Sequence, residues 1–162
     1  MARALIVGCG CRGRALSARL AECGWSLRGT TRDPVHAAEI EAAGIEAAVA
    51  DPDSPGTLLD LVGDVTVVHW LLGSARAEPE VITAIHGPRL ERLLEKLVDS
   101  PVRGFVYEAA GDVQCMHLER GAELVRSAAE TWRIPVEVVE TDPAELDRWL
   151  EAMTAATQRL VT

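Results

Sequence analysis

Between residues 8 and 13 the chain reads Gly8-Cys9-Gly10-Cys11-Arg12-Gly13. It follows a short apolar run, Ala4–Val7, and precedes a stretch of helical character from Arg12 to Cys23. Glycines at that spacing suit one task, which is to bring backbone N–H groups up to a pyrophosphate. Gly8 allows the tight turn, Gly10 lets the main chain approach without a Cβ in the way, and Gly13 lets the helix pack closely on the strand. The first residues of that helix, Cys11 and Arg12, stand at its positive end, where an anion is favoured. Three glycines alone are a weak signal, and a turn with no ligand is the plain alternative. The weight comes from context, because the motif sits in a strand–turn–helix–strand unit of about 30 residues.

The next strand end bears on which dinucleotide is held. A site for NAD places an acid there to accept from the ribose 2′-hydroxyl. Here the sequence is Arg28-Gly29-Thr30-Thr31-Arg32, and the first acid, Asp33, precedes Pro34 as a helix cap. The hydroxyls of Thr30 and Thr31 with the Arg32 guanidinium suit a 2′-phosphate, with Arg28 near by, so NADP(H) is favoured over NAD(H). Solvated surface charge is the ordinary reading of both arginines. Asp51, before Pro52, either meets an adenine amino group or is a turn residue. His69 and Trp70 close the fourth strand and are expected beside the ribose and nicotinamide. His69 has the pKa of an acid–base catalyst, but within a run of Val and Leu a side chain is more often packed than catalytic; Tyr107 is the other weak catalytic candidate. The cysteines Cys9, Cys11, Cys23 and Cys115 complete no zinc pattern, so no metal is expected and free thiols are. Cys11, at a helix N-terminus, is either redox-sensitive or small filler.

Strands and helices alternate along the chain that must position these residues. Strands are read at Trp25–Thr30, Ile45–Ala50, Val65–Leu71, Val102–Tyr107 and Val136–Val139. The helix opened at Asp33-Pro34 stops at Gly44, and Asp53-Ser54-Pro55 opens a short one ending at Gly63. A polar loop, Gly73–Pro79, precedes a helix marked by Leu90, Leu93, Leu94 and Leu97. Leu118–Trp132 is the next helix, and Asp142-Pro143 opens the last, carrying Leu146, Trp149, Leu150 and Met153. This order predicts a single α/β domain over residues 1–162. Its six-stranded, doubly wound, mostly parallel sheet of Rossmann type has helices on both faces.

Composition narrows the partners. At 162 residues with 48% hydrophobic and 25% charged residues, the chain can bury a core. Its net charge of −9 repels phosphate backbones and anionic lipid, so neither nucleic acid nor a membrane surface is expected as a partner. No apolar run reaches the roughly 18–20 residues of a membrane span. The opening Met1–Val7 reads as a buried strand rather than a leader, and a cytoplasmic location is expected.

The blocks quoted above resemble the atypical and extended short-chain dehydrogenase/reductases, the superfamily containing NAD(P)-dependent epimerases and dehydratases. The likeness spans essentially the whole chain. Ala4–Gly13 is similar to members with Gly-x-Gly-x-x-Gly, Arg28–Asp33 to their NADP-binding strand end, and Asp51-Pro52-Asp53 to their adenine-contacting turn. Asp64–Leu72 resembles the fourth-strand block and Gly104-Phe105-Val106-Tyr107 the fifth strand. The family's fifth strand leads to a Ser that polarises the substrate carbonyl, where this chain has Glu108-Ala109-Ala110-Gly111. The family's catalytic Tyr precedes a Lys by four residues. Taking Glu123 as the acid that follows puts Cys115 at the Tyr position and Glu119 at the Lys position. Tyr107, with Gly111 four residues on, is not a displaced copy. Extended members continue for on the order of 100 residues as a substrate lobe, which this chain, ending at Thr162, is expected to lack. The resemblance also implies a homodimer through the helices bearing Leu90–Leu97 and Leu118–Trp132.

Three functions remain open at this point. One is an NADP(H)-binding protein without conventional dehydrogenase chemistry, a sensor or regulatory module. Another is an oxidoreductase or epimerase with a non-standard acid drawn from Tyr107, His69, His117 and Glu108. The third is an interaction protein that has lost the cofactor.

Overall fold

The computed structural model describes residues 2–162; Met1, the first residue of the opening block, lies outside them. Six strands, β1 (Arg3–Val7), β2 (Ser26–Thr31), β3 (Glu46–Val49), β4 (Val67–Trp70), β5 (Gly104–Glu108) and β6 (Val136–Val139), form one sheet. All the pairings are parallel and the spatial order is β3-β2-β1-β4-β5-β6. The order reverses between β1 and β4, which is where such a sheet opens a crevice beyond its strand ends. The expected doubly wound α/β fold is therefore present.

Alternation along the central strands feeds two cores. Leu5, Val7, Val68, Trp70, Phe105 and Tyr107 point to one face, covered by α3 (Pro55–Leu59), α4 (Pro79–Ile85), α5 (Pro88–Leu97) and α6 (Cys115–Trp132). Ala4, Ile6, Val67 and Val106 point to the other, covered by α1 (Cys11–Glu22), α2 (Ala37–Ala42) and α7 (Leu146–Arg159). Strands buried on both sides need apolar residues at every position, hence the near-continuous Val, Ile and Leu runs. The four leucines of α5 are all buried in the first core, while Glu91, Arg92, Glu95 and Lys96 face solvent. That stripe is core packing.

Several element bounds differ from the sequence reading. Residues 79–85 form α4, because Pro79 is well placed at a first helical position. Asp142 does cap a turn, its Oδ1 accepting from Ala144 N at 2.9 Å, but helical structure begins only at Leu146. Before α3 the Asp51 Oδ1 accepts from Asp53 N at 2.9 Å, whereas Ser54, at the N-cap, gives the helix no side-chain cap and Asp53 pairs with Arg89 at 3.2 Å. The helix α3 ends at Leu59, short of Gly63.

Candidate functional site

A cleft of about 830 Å³ lies at the C-terminal ends of β1, β2, β4 and β5, between α1 and α7. That size is within the range of small-molecule sites. Its floor is the glycine turn. Gly8 has φ +82°, and a Cβ there would lie 2.6 Å from Leu71 O. Gly13 packs on Ile6, where a Cβ would approach to 3.2 Å. Gly10 is different: a Cβ on it would meet no atom within 4 Å, and it borders the cleft. It is the N-cap of α1 but offers no side-chain cap, and no acid stands in the first helical turn. The positive end of α1 is thus left to whatever enters the cleft. Cys11 is exposed there, whereas Cys9 is buried against Gly29 and its thiol is pushed up to about 11, chiefly by burial.

The cleft is locally cationic in an acidic chain. Arg12, Arg14, Arg32 and Arg76 line it, with His36, against two acids, Glu39 and Glu108. Arg12 Nη1 donates to Ser74 Oγ at 3.4 Å and Arg32 Nη2 to the Arg76 carbonyl at 3.2 Å. Both arginines therefore lean on the loop after β4. Thr30 is buried, its Oγ1 accepting from Gly8 N at 3.3 Å, so it fixes the turn as well as lining the cleft. Thr31, Arg32, His36 and Asp51 surround an adjoining hollow beyond β2. Such a cradle, open at Gly10 and rimmed with guanidinium groups, suits an anionic group such as a pyrophosphate.

Three expected residues are elsewhere. Arg28 does not face the cleft. It lies in the first half of β2, where it pairs with Asp64 at 2.7 Å and Glu46 at 3.1 Å. His69 is fully buried with its Nε2 2.7 Å from Thr157 Oγ1. The threonine proton goes to Met153 O, so the ring donates, and burial holds its pKa down to about 4. Trp70 is fully buried on the opposite face and donates to Ile85 O at 3.2 Å. Neither His69 nor Trp70 reaches the cleft. Strand parity explains Trp70 and Tyr107, because both alternate onto the α4–α6 face. The Tyr107 hydroxyl donates to His86 Nδ1 at 2.7 Å, and His86 Nε2 donates to Leu72 O at 2.9 Å. The phenol pKa is raised by burial and then by Glu108. His86 is held down to about 4 by burial, partly offset by the Leu72 carbonyl. Gly121 of α6 leaves the room this hydroxyl needs.

Glu108 is the neighbour that does face the cleft. One residue on from Tyr107, it falls on the α1–α7 side. It is 4% exposed, and its Oε1 accepts from Gly73 N at 2.9 Å. Burial pushes its pKa up to about 7, against the Gly73 N–H, Trp149 and Arg12, which favour the ionised form. The Trp149 indole N–H is near enough to have that effect but closes no hydrogen bond. The loops after β4 and β5 lock together here: Val113 N donates to Gly73 O at 2.9 Å and Asp112 N to Ser74 Oγ at 3.0 Å. Sequence reasoning had Glu108 only as one of four acids; its position one residue past an inward-facing strand residue was the available signal. Arg14, Arg76 and His36 were not anticipated. Among the described residues no His, Cys, Asp and Glu cluster could hold a metal, and no helix is long and apolar enough to cross a membrane.

No protein-family model matches the chain, and neither does any curated protein sequence. Solved structures do match in fold. The protein gox2253 superposes with a TM-score of 0.72 at 19% identity, over 86% of this chain and 51% of that one. A short-chain dehydrogenase/reductase superfamily protein from Agrobacterium tumefaciens with bound NAD gives 0.67 at 21%, over 84% and 48%. UDP-glucuronic acid 4-epimerase from Bacillus cereus in complex with NAD gives 0.65 at 13%, over 88% and 59%. The fold is the Rossmann fold of short-chain dehydrogenase/reductase and epimerase proteins, and the chain spans about half the length of these matches.

Proposed function

We propose that this chain binds a nicotinamide dinucleotide, NADP(H) in preference to NAD(H), across the cleft, and does not carry out conventional dehydrogenase chemistry. The observation that carries the reading is the contrast among the three glycines. Gly8 and Gly13 are explained by the protein packed against them, whereas no protein atom stands where a Cβ on Gly10 would be. A glycine that the fold does not require is explained by a ligand that approaches its backbone. The α1 N-terminus then takes the pyrophosphate with Arg12 beside it, and Thr31 and Arg32 take a 2′-phosphate. Two of the fold neighbours bind NAD in their structures, which supports the ligand class. The absence of conventional chemistry is supported by Tyr107 and His69, which are fully buried away from the cleft, the Tyr107 hydroxyl bonded to His86 and His69 Nε2 to Thr157. It is supported too by Cys115 and Glu119, both exposed, which the resemblance, with Glu123 taken as the following acid, puts at the positions of the family's Tyr and Lys.

Titrating NADPH and NADH into the protein, with nicotinamide fluorescence and thermal midpoint as readouts, tests this. Tighter binding of NADPH, with no turnover across a panel of aldehydes, ketones and nucleotide sugars, is the expected result. Failure of both cofactors to bind at millimolar concentration would overturn it.

A further inference from the structure

The pyrophosphate cradle is central in the cleft, so a dinucleotide with one nucleotide over the β2 end must send the other toward the ends of β4 and β5. On that side the cleft wall comprises Leu71, Leu72, Glu108, Pro143 and Trp149. Its one acid is Glu108, with the Arg12 guanidinium near enough to favour the ionised form. We infer that Glu108 makes this end of the cleft distinguish the oxidised from the reduced nicotinamide, holding the cationic oxidised ring more tightly once the carboxyl is ionised. The inference rests on the dinucleotide reading above and adds a redox selectivity to it.

The argument is electrostatic. The oxidised ring carries a positive charge that the reduced ring lacks, and the rest of the two molecules is the same. A carboxylate that is 4% exposed is weakly screened by solvent, so it acts on a neighbouring ring more strongly than a surface acid would. A neutral carboxyl has no such preference. Selectivity therefore follows the protonation of Glu108, which burial pushes up to about 7, into the range a cell samples.

The groups around Glu108 fix the sign. From α1, the Arg12 guanidinium favours ionisation, but that group also leans on Ser74 beside the phosphate cradle. From β5, the Tyr107 phenol stays protonated, and Glu108 itself helps to raise its pKa. From the loop after β4 comes the Gly73 N–H, from α7 the Trp149 indole, and from the segment before α7 Pro143 and Ala144; none of these titrates. No second acid shares the β4–β5 end, so deprotonation of Glu108 is the event that changes its charge.

The test measures dissociation constants for NADP⁺ and NADPH at about pH 6 and about pH 8, in the wild type and in Glu108→Gln. The thermal midpoint reports whether the variant is folded. In the wild type the ratio Kd(NADPH)/Kd(NADP⁺) is expected to rise about tenfold across this range, the effect of one pKa unit of coupling. In E108Q it is expected to stay constant. The 2′-phosphate titrates in both ligands and cancels in the ratio. Calorimetry of the wild type in two buffers of different ionisation heat gives a second readout that needs no variant. NADP⁺ should release more protons than NADPH on binding at neutral pH, the 2′-phosphate contributing equally to both. A ratio that stays level in the wild type, or that rises equally in E108Q, overturns the inference and leaves the dinucleotide reading standing. If neither ligand binds, both fall.

Discussion

The β1–β3 half of the cleft and the β4–β5 half are built to different ends. In the first, side chains and backbone face the cleft: the open Gly10, the helix end, Thr31 and Arg32. In the second, the side chains that a catalytic reading would choose are turned inward. Tyr107 and His86 hold each other, Trp70 holds the backbone at Ile85, and His69 holds α7. Of those candidates, Glu108 is the one that lines the cleft. A polar residue at a strand end is therefore not a site residue by type alone, because strand parity decides which face it serves.

The comparison can be broken in several places, and the largest effect is expected in the second half. Gly121→Ala would place a methyl group against the Tyr107 hydroxyl. It should cost about 2–3 kcal/mol of stability, read as a shift in denaturant midpoint. Adding Tyr107→Phe should recover part of that loss, since the two changes share one contact. If G121A is neutral, the packing account of Tyr107 is wrong.

In the first half the effects belong to binding. Arg32→Ala should weaken NADPH by about 10–100-fold, the range for a lost charged hydrogen bond, and leave NADH nearly unchanged. Equal losses for both would refute the 2′-phosphate assignment. Gly10→Ala should weaken both cofactors while moving stability by less than about 1 kcal/mol, because no atom is there to clash. Tyr107→Phe alone should cost about 1–2 kcal/mol, as His86 Nδ1 loses its partner, without altering either dissociation constant.

A further effect is on the pH dependence of stability. His69 and His86, held near 4 against an ordinary 6.5, are neutral in the folded state where the unfolded chain would be protonated. Their contribution is present above about pH 6.5 and lost as the pH falls toward 4. Glu108, raised to about 7, has the opposite sign: its contribution is present below the ordinary carboxylate range and lost as the pH rises through 7. The two trends oppose each other between about pH 4.5 and 6.5. Glu108→Gln should therefore make the acid-side loss of stability steeper, which thermal midpoints across that window would reveal. A shallower slope would contradict the assignment.

Much of this was legible in the sequence. Short, near-continuous apolar runs, glycine punctuation and proline at helix starts were enough to lay out the six strands, and the Gly8–Gly13 turn located the cleft. Tertiary facts were not legible. Arg28 looks like a phosphate ligand until Glu46 and Asp64 are found beside it, some 18 and 36 residues along the chain. His69 could be packed or catalytic until Thr157 is seen 88 residues away. The α4 helix was missed because seven residues give little periodicity to read. Arg14, Arg76 and His36 carry no local signal that they converge.

That convergence has a kinetic consequence. The chain carries −9 overall, so an anionic ligand approaches against the long-range field and is attracted only within the arginine-lined cleft. Salt screens the distant repulsion over a Debye length of roughly 8–10 Å, while the short contacts inside the cleft are shielded less. Moderate ionic strength should then raise the association rate, the reverse of a protein whose whole surface steers its ligand inward. The cleft would capture its ligand by local charge, with selectivity set at contact rather than during approach.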